Sequence, residues 1–150
     1  MSNKMKAVHI HAYGGPEQLV YEDAPKPKPQ KGEVLIRVYA MGATPTELGW
    51  STTWKTETGA DRLVPIIPGH EMSGVISEVG TGVDDVEIGA AVFGLTDFRR
   101  DGCAAEYTIA QPTEIALKPN SIDHVQAAAV PLGALTAWQG LFDHTHITSG

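Results

Sequence analysis

Cysteine is almost absent from this sequence. A single thiol, Cys103, occurs in 150 residues. One thiol forms no internal disulfide and supplies too few ligands for a thiolate zinc site. We therefore expect Cys103 to be a small buried apolar residue, and the fold to do without a disulfide framework.

Long apolar runs and clusters of basic residues are also missing. No stretch approaches the roughly 18 apolar residues of a membrane span, and the first ten residues, MSNKMKAVHI, lack the apolar core of a secretion signal. The formal charge is −7 and the 11 Lys and Arg are scattered, which argues against nucleic acid and membranes as partners. These absences favour a cytoplasmic protein.

What the sequence does contain is the composition of one folded domain, with 42% apolar and 19% charged residues. Short apolar segments alternate with turn residues, as is typical of a β-barrel or sandwich. Gly14-Gly15-Pro16 indicates a hairpin, and alternation in one segment puts Val34 and Ile36 on a buried face and Leu35 on the other. We predict strands at residues 6–14, 18–23, 33–43, 71–80, 90–95, 103–110 and 114–119.

The pattern changes at residue 120. Ser121 is predicted to be an N-cap, because the Ala- and Leu-rich residues after it have helical spacing. Pro131 must interrupt this helix, since proline removes a backbone donor and its ring clashes with the preceding turn. We predict a second helix from Pro131 to Asp143, with a buried stripe formed by Leu132, Leu135 and Leu141.

His70 and Glu71 lie side by side in IPGHEMSGVISEVGTGV, where a predicted strand begins. The pair is compatible with a metal site, an acid/base pair or a polar strand end. Adjacent residues on an extended strand point to opposite faces, so these two do not easily converge on one ion. A buried imidazole bonded to backbone fits as well as a proton shuttle. The other five histidines, at positions 9, 11, 124, 144 and 146, are predicted to lie at solvated surfaces.

A complete cofactor motif is not present. Gly80-Thr81-Gly82 begins like a dinucleotide fingerprint, but no third glycine follows in register, and Asp84 and Asp85 would repel a pyrophosphate. We interpret this segment as a turn. No G-x-S-x-G or Cys–His arrangement of a nucleophilic enzyme appears either.

Five motifs in order resemble the N-terminal part of the medium-chain dehydrogenase/reductases, and most closely their zinc-independent quinone oxidoreductase branch. These motifs are MKAVHIHAYGGPEQL, GEVLIRVYAMGATPTEL, IPGHEMSGVISEVGTGV, DGCAAEYTIA and AAAVPLGALTAWQGLF. Together they span nearly the whole chain. Each motif alone is a weak signal, whereas the ordered set is specific.

This resemblance implies a mainly β fold with some α structure, namely a GroES-like, partly open β-barrel with C-terminal helices. Residues 1–120 would form the catalytic, substrate-side domain, and residues 121–150 a helical connection toward a missing C-terminal Rossmann domain. The whole enzyme would transfer hydride from NADPH to a small molecule, a quinone or enone-type carbonyl acceptor. The chain alone would be inactive, because the missing domain binds most of the cofactor.

The resemblance also predicts the state of the metal site. The zinc-dependent branch has its catalytic ligands at positions that correspond to Thr44, His70 and about Leu132, and only the histidine is kept. A single imidazole holds zinc poorly, so no metal is expected. Glu71 would then be a structural hydrogen-bonding residue.

Substrate and cofactor contacts are implied in the same way. His70, Trp50 and Thr44 would line the substrate cleft, and Thr44 and Thr136 would face the nicotinamide end of NADPH. A tyrosine that some quinone reductases place after their N-P-x-D segment aligns near Gly49. The usual partner of the substrate oxygen is therefore absent, and the catalytic residue stays unassigned.

Two alternatives remain open. The chain is also compatible with a fragment of a zinc-dependent alcohol dehydrogenase, or with a non-catalytic GroES-like binding module. An apolar helix face left bare by the missing domain would favour a homodimer.

Overall fold

The computed structural model describes residues 3–145 and 147. Seven strands account for most of the regular structure: β1 (Lys4–Ile10), β2 (Leu19–Pro25), β3 (Val34–Met41), β4 (Glu71–Val79), β5 (Ala91–Leu95), β6 (Tyr107–Ala110) and β7 (Ile115–Leu117). The helices are α1 (Ser51–Trp54), α2 (His124–Ala128) and α3 (Pro131–Trp138), which a π-helical turn continues through Gln139–His144. Three 3₁₀ turns lie at Pro16–Gln18, Glu47–Gly49 and Pro112–Glu114.

The strands form two antiparallel sheets. One contains β1 and β2, and the other has the order β6-β3-β4-β5-β7. The described residues form no closed barrel, since no pairing joins β6 to β7. The molecule is therefore mainly β with a few C-terminal helices, which agrees with the predicted partly open GroES-like fold.

The predicted hairpin is confirmed at the N-terminus. β1 and β2 pair from Lys4 opposite Pro25 to Ile10 opposite Leu19. The connection contains Gly14 and Gly15, and Pro16 begins a 3₁₀ turn, where its missing N–H costs nothing.

The core lies on one face of the five-stranded sheet. It comprises Val34, Ile36, Met72, Ile76, Val92, Cys103 and Ala110. Cys103 is 1% exposed, as its predicted role as a buried apolar residue requires. Leu35, predicted to lie on the opposite and less buried face, is also fully buried. The β3–β4 register shifts between Leu35 and Ile36, and this bulge breaks the simple alternation.

The predicted strand at residues 103–110 is shorter than expected. Its ladder begins only at Tyr107. The preceding residues instead bond the loop before β4: the amides of Gly102, Cys103 and Ala104 donate to carbonyls of residues 67–69 at 2.5–2.9 Å. Pairing between two loops does not require apolar and polar residues to alternate, so the sequence pattern does not reveal it.

The first C-terminal helix begins later than predicted. Its N-cap is Asp123 and not Ser121. The Asp123 carboxylate accepts from the Gln126 amide at 2.8 Å, while the Gln126 side chain accepts from the Asp123 amide at 3.1 Å. This reciprocal pair satisfies two backbone donors, which one Ser121 hydroxyl would not do. Pro131 separates α2 from α3, as predicted.

The predicted buried stripe of the second helix is wrong for this chain. Leu135 and Leu141 are 42% and 47% exposed, and Leu132 is only partly buried. Trp138 and Phe142 are exposed beside them and contact each other, with ring centroids 4.6 Å apart and ring planes tilted by 40°. Within the described residues no strand or helix covers this apolar face, which we call the α3 face.

The histidine predictions hold only in part. His11 and His144 are exposed, His124 is half-buried and stacks on Tyr39, and His146 lies outside the described residues. His9 is buried at 8% exposure, contrary to prediction. It lies on the inner face of β1 with Ala7. Its hydrogen bond to Glu22 on β2 offsets the cost of burying the polar ring. None of the described helices is both long and apolar enough to cross a membrane.

Candidate functional site

The loop that precedes β4 presents His70. Gly69 has φ +82°, a conformation that favours glycine, and its carbonyl accepts the Cys103 amide at 2.5 Å. The Pro68 carbonyl accepts the Ala104 amide at 2.9 Å. Bonds on both sides of the bend therefore hold the histidine backbone in one position.

The His70 imidazole is enclosed by protein. Its residue is 2% exposed, its Nδ1 lies 3.2 Å from Thr96 Oγ1, and its ring centroid lies 4.6 Å from that of Phe98. Nε2 is buried and has no hydrogen-bond partner among the described residues. Because buried polar atoms are nearly always bonded, this nitrogen is the one with hydrogen-bonding capacity left for a ligand.

Glu47 lies beside that nitrogen and was missed by the sequence reasoning. Its Oε1 is 3.6 Å from His70 Nε2 and accepts the Gly69 amide at 2.8 Å. Burial raises the pKa of Glu47, and the bond from Gly69 opposes this shift. A signal was present in the sequence, since the family resemblance implies that Glu47, the last residue of T-P-T-E, corresponds to the aspartate of the N-P-x-D segment.

The electrostatics favour a neutral imidazole. Burial, followed by the positive charge of Arg62, lowers the pKa of His70 to about 4, although Asp97 acts in the opposite sense. At neutral pH the ring is therefore uncharged and serves as a hydrogen-bonding group, not as a cation.

A pH dependence follows from this lowered pKa. Because unfolded His70 binds a proton near pH 6.5, its contribution to stability is complete above that pH and is lost as the pH falls toward 4. We expect the wild type to lose about 2 kcal/mol more than His70→Asn between about pH 7 and pH 5 in urea unfolding. The raised pKa of Glu47 acts in the opposite direction, so the comparison with the variant isolates the histidine. An NMR titration midpoint of His70 near 6.5 would contradict this assignment.

Glu71 faces away from the imidazole and has the structural role that its sequence context predicts. Its Oε1 accepts the Leu132 amide at 2.9 Å, in the first turn of α3. A Cβ added at Gly42 would lie 2.2 Å from Glu71 Oε2, so the glycine makes room for the carboxylate. This bond fixes the start of α3 against β4.

Trp50 and Thr44 lie near the same loop. The rings of Trp50 and His70 both contact Phe98, with the Trp50 centroid 5.7 Å from that of Phe98. The Thr44 carbonyl accepts the Glu47 amide at 3.0 Å. Its half-buried hydroxyl makes no hydrogen bond within the described chain. Thr136 is exposed on α3, and no described contact joins it to these residues.

The donor set around His70 does not match a catalytic zinc site, which takes three Cys, His or acidic ligands. Thr44 offers a neutral hydroxyl and Leu132 offers no ligand atom. Among residues 3–145 and 147, His70 belongs to no group of three or more Cys, His, Asp or Glu whose ligand atoms are close enough to share an ion.

Comparison with known proteins identifies the family of this chain. The model of the alcohol dehydrogenase GroES-like domain matches residues 30–120. The chain belongs to this family. Its predicted resemblance to the medium-chain dehydrogenase/reductases is thereby confirmed, and its relatives are oxidoreductases.

Three relatives illustrate the range of this GroES-like family. A mitochondrial NAD(P)H oxidoreductase of Dictyostelium discoideum is 34% identical over 93% of this chain and 40% of its own length. A chloroplastic NADPH-dependent alkenal/one oxidoreductase of Arabidopsis thaliana is 34% identical over 92% of this chain and 37% of its own length. The solved quinone oxidoreductase of Coxiella burnetii superposes with a TM-score of 0.83 at 31% identity, covering 95% of this chain and 45% of that structure. The GroES-like chain thus spans less than half the length of each.

Proposed function

We propose that this chain forms the substrate side of an NADPH-dependent reductase that transfers hydride to a quinone or enone-type carbonyl without zinc. One observation carries the proposal: the buried His70 Nε2 has no hydrogen-bond partner among residues 3–145 and 147, while the two other positions of the zinc branch hold Thr44 and Leu132. The site thus keeps a polar ligand-binding atom but not a metal-binding set. The names of the three relatives support the reaction class.

In our proposal this chain contacts only the nicotinamide end of NADPH. Bound NADPH supplies the hydride. The hydroxyls of Thr44 and Thr136 make no hydrogen bond in the described chain, which fits a role at the nicotinamide end. Phosphate groups need backbone donors at a glycine-rich turn, and the sequence lacks a complete one. We therefore propose that a separate Rossmann domain holds the rest of the cofactor, with residues 1–120 as the substrate domain and 121–150 as the connection.

The proposed mechanism needs little proton chemistry from the protein. Negative charge develops on the acceptor oxygen during hydride transfer, and a preorganised donor stabilises it. The Thr44 hydroxyl is that donor in our proposal. Neutral His70 adds a polar contact through Nε2, and the Trp50–Phe98 ring pair forms an apolar wall that excludes water.

The α3 face supports the proposed domain arrangement. Leu135, Trp138, Leu141 and Phe142 are each more than 40% exposed, and such a patch is typical of a protein interface. We propose that the Rossmann domain covers it in the whole enzyme. In the isolated chain the same face would favour a homodimer. We also propose that the enzyme is cytoplasmic.

A fusion protein tests the function. We expect the chain alone to show no NADPH-dependent quinone reduction. Joined to the nucleotide-binding half of the Coxiella burnetii enzyme, it should turn over quinone. Turnover by the chain alone, or a fusion that binds NADPH yet reduces neither quinones nor enones, would refute the proposal.

Thr44→Val in that fusion tests the proposed donor. We expect kcat to fall at least about tenfold, because loss of one charge-stabilising donor removes transition-state stabilisation. Thr46→Val is the matched control, since Thr46 is two residues away and exposed, and it should leave kcat unchanged. Equal kcat values for the two variants would exclude Thr44 as the donor.

A further inference from the structure

A second cluster of ligand-forming side chains lies on the β1–β2 hairpin. His9 lies in β1 and His11 directly follows that strand, so their two-residue spacing places both on one side. Glu22 lies in β2 opposite Ala7, one diagonal step from His9. These three residues lie on different structural elements from His70 and Glu47, so the cluster is separate from the candidate site.

The three side chains converge on one point. His9 Nδ1 lies 2.8 Å from Glu22 Oε1, and His11 Nε2 lies 2.6 Å from the same oxygen. One ligand atom from each residue lies within 4.8 Å of the others. Within residues 3–145 and 147, no other group of three or more Cys, His, Asp or Glu meets this condition.

The chemistry of the cluster matches a transition-metal site. Two imidazoles and one carboxylate are a donor set that zinc uses in proteins. The Glu22 carboxylate accepts a hydrogen bond from each imidazole through the same oxygen, Oε1. Because Glu22 Oε1 lies between the two imidazoles, one bound cation would replace the hydrogen bonds from His9 and from His11.

Little movement is needed to admit an ion. Tetrahedral coordination with bonds of about 2.1 Å places ligand atoms about 3.4 Å apart, so both N–O separations must open by less than about 1 Å. The side chains of His11 and Glu22 are 46% and 37% exposed and are free to adjust, whereas that of His9 is 10% exposed and provides a fixed anchor. A water molecule on the exposed side would fill the fourth ligand position.

We propose that His9, His11 and Glu22 bind a divalent transition-metal ion, with Zn²⁺ as the ion whose usual ligands match. The ion would join β1 to β2, which pair in a two-stranded sheet of the described residues. It would stabilise the hairpin and take no part in hydride transfer.

Zinc titration of the full chain by calorimetry tests the site. We expect one equivalent to bind to the wild type, and binding to weaken at least about tenfold in His11→Asn and in Glu22→Gln. His144→Asn is the matched control, because it removes another exposed imidazole, and its affinity should equal that of the wild type. Circular dichroism verifies that both site variants, altered at partly exposed side chains, remain folded.

Two further readouts locate the ion. In NMR spectra zinc should shift the ring nitrogens of His9 and His11 but not those of His70. Zinc should raise the unfolding temperature of the wild type and of His144→Asn, but not of the two site variants. The proposal fails if zinc up to millimolar concentration does not bind, if both site variants bind it as tightly as the wild type, or if it shifts His70 instead.

Discussion

Gly102→Ala should destabilise the protein by at least about 3 kcal/mol. A Cβ at this position would lie 1.9 Å from the Gly69 carbonyl oxygen and 2.6 Å from that of Pro68. Both are backbone atoms held by hydrogen bonds, so neither can move without disturbing the loop that presents His70. Urea unfolding measures the change in free energy.

Gly133→Ala is the matched control for this substitution. Gly133 lies in α3, and a Cβ there meets no atom within 4 Å. We expect it to stabilise the protein by up to about 1 kcal/mol, because alanine is the better helix former. Equal stability of the two variants would show that Gly102 and the loop at residues 67–69 are not in close contact.

Glu71→Ala should cost about 2–3 kcal/mol, because it removes the acceptor of the Leu132 amide and leaves that donor without its partner. The loss should be concentrated at the start of α3. Hydrogen exchange of the Leu132 amide should therefore accelerate, in addition to a lower free energy of unfolding.

Glu71→Gln separates the lost hydrogen bond from the lost charge. Its side-chain carbonyl oxygen can still accept from Leu132, so we expect this variant to stay within about 1 kcal/mol of the wild type. If the alanine and glutamine variants were equally stable, Glu71 would not anchor α3 in the way described.

Local patterns in the sequence predicted the elements that depend on local chemistry. The N-terminal hairpin follows from Gly14-Gly15-Pro16 between two β-rich segments, and the break at Pro131 follows from the proline ring. The burial of Cys103 was also predicted, since a lone thiol has few other roles. His70 was identified by its place between loop and strand and by the family motif.

Tertiary contacts explain what the sequence did not reveal. Glu47 contacts Gly69 and His70 only because the turn that contains it folds onto a loop more than twenty residues away. His9 is buried because it lies on the inner face of its sheet, and its hydrogen-bond partner Glu22 lies in the next strand. Helical periodicity around Leu135 marked an apolar face correctly, but periodicity does not show whether this chain or another domain covers it.

In our proposal the His70 site supports hydride transfer without a metal. The most direct measurement is NADPH-dependent quinone reduction by the fusion protein after exhaustive chelation, with the zinc content of the same sample determined. We expect turnover to persist when all zinc has been removed, including any ion on the β1–β2 hairpin. Activity that disappears with the metal and returns in proportion to added zinc would contradict it.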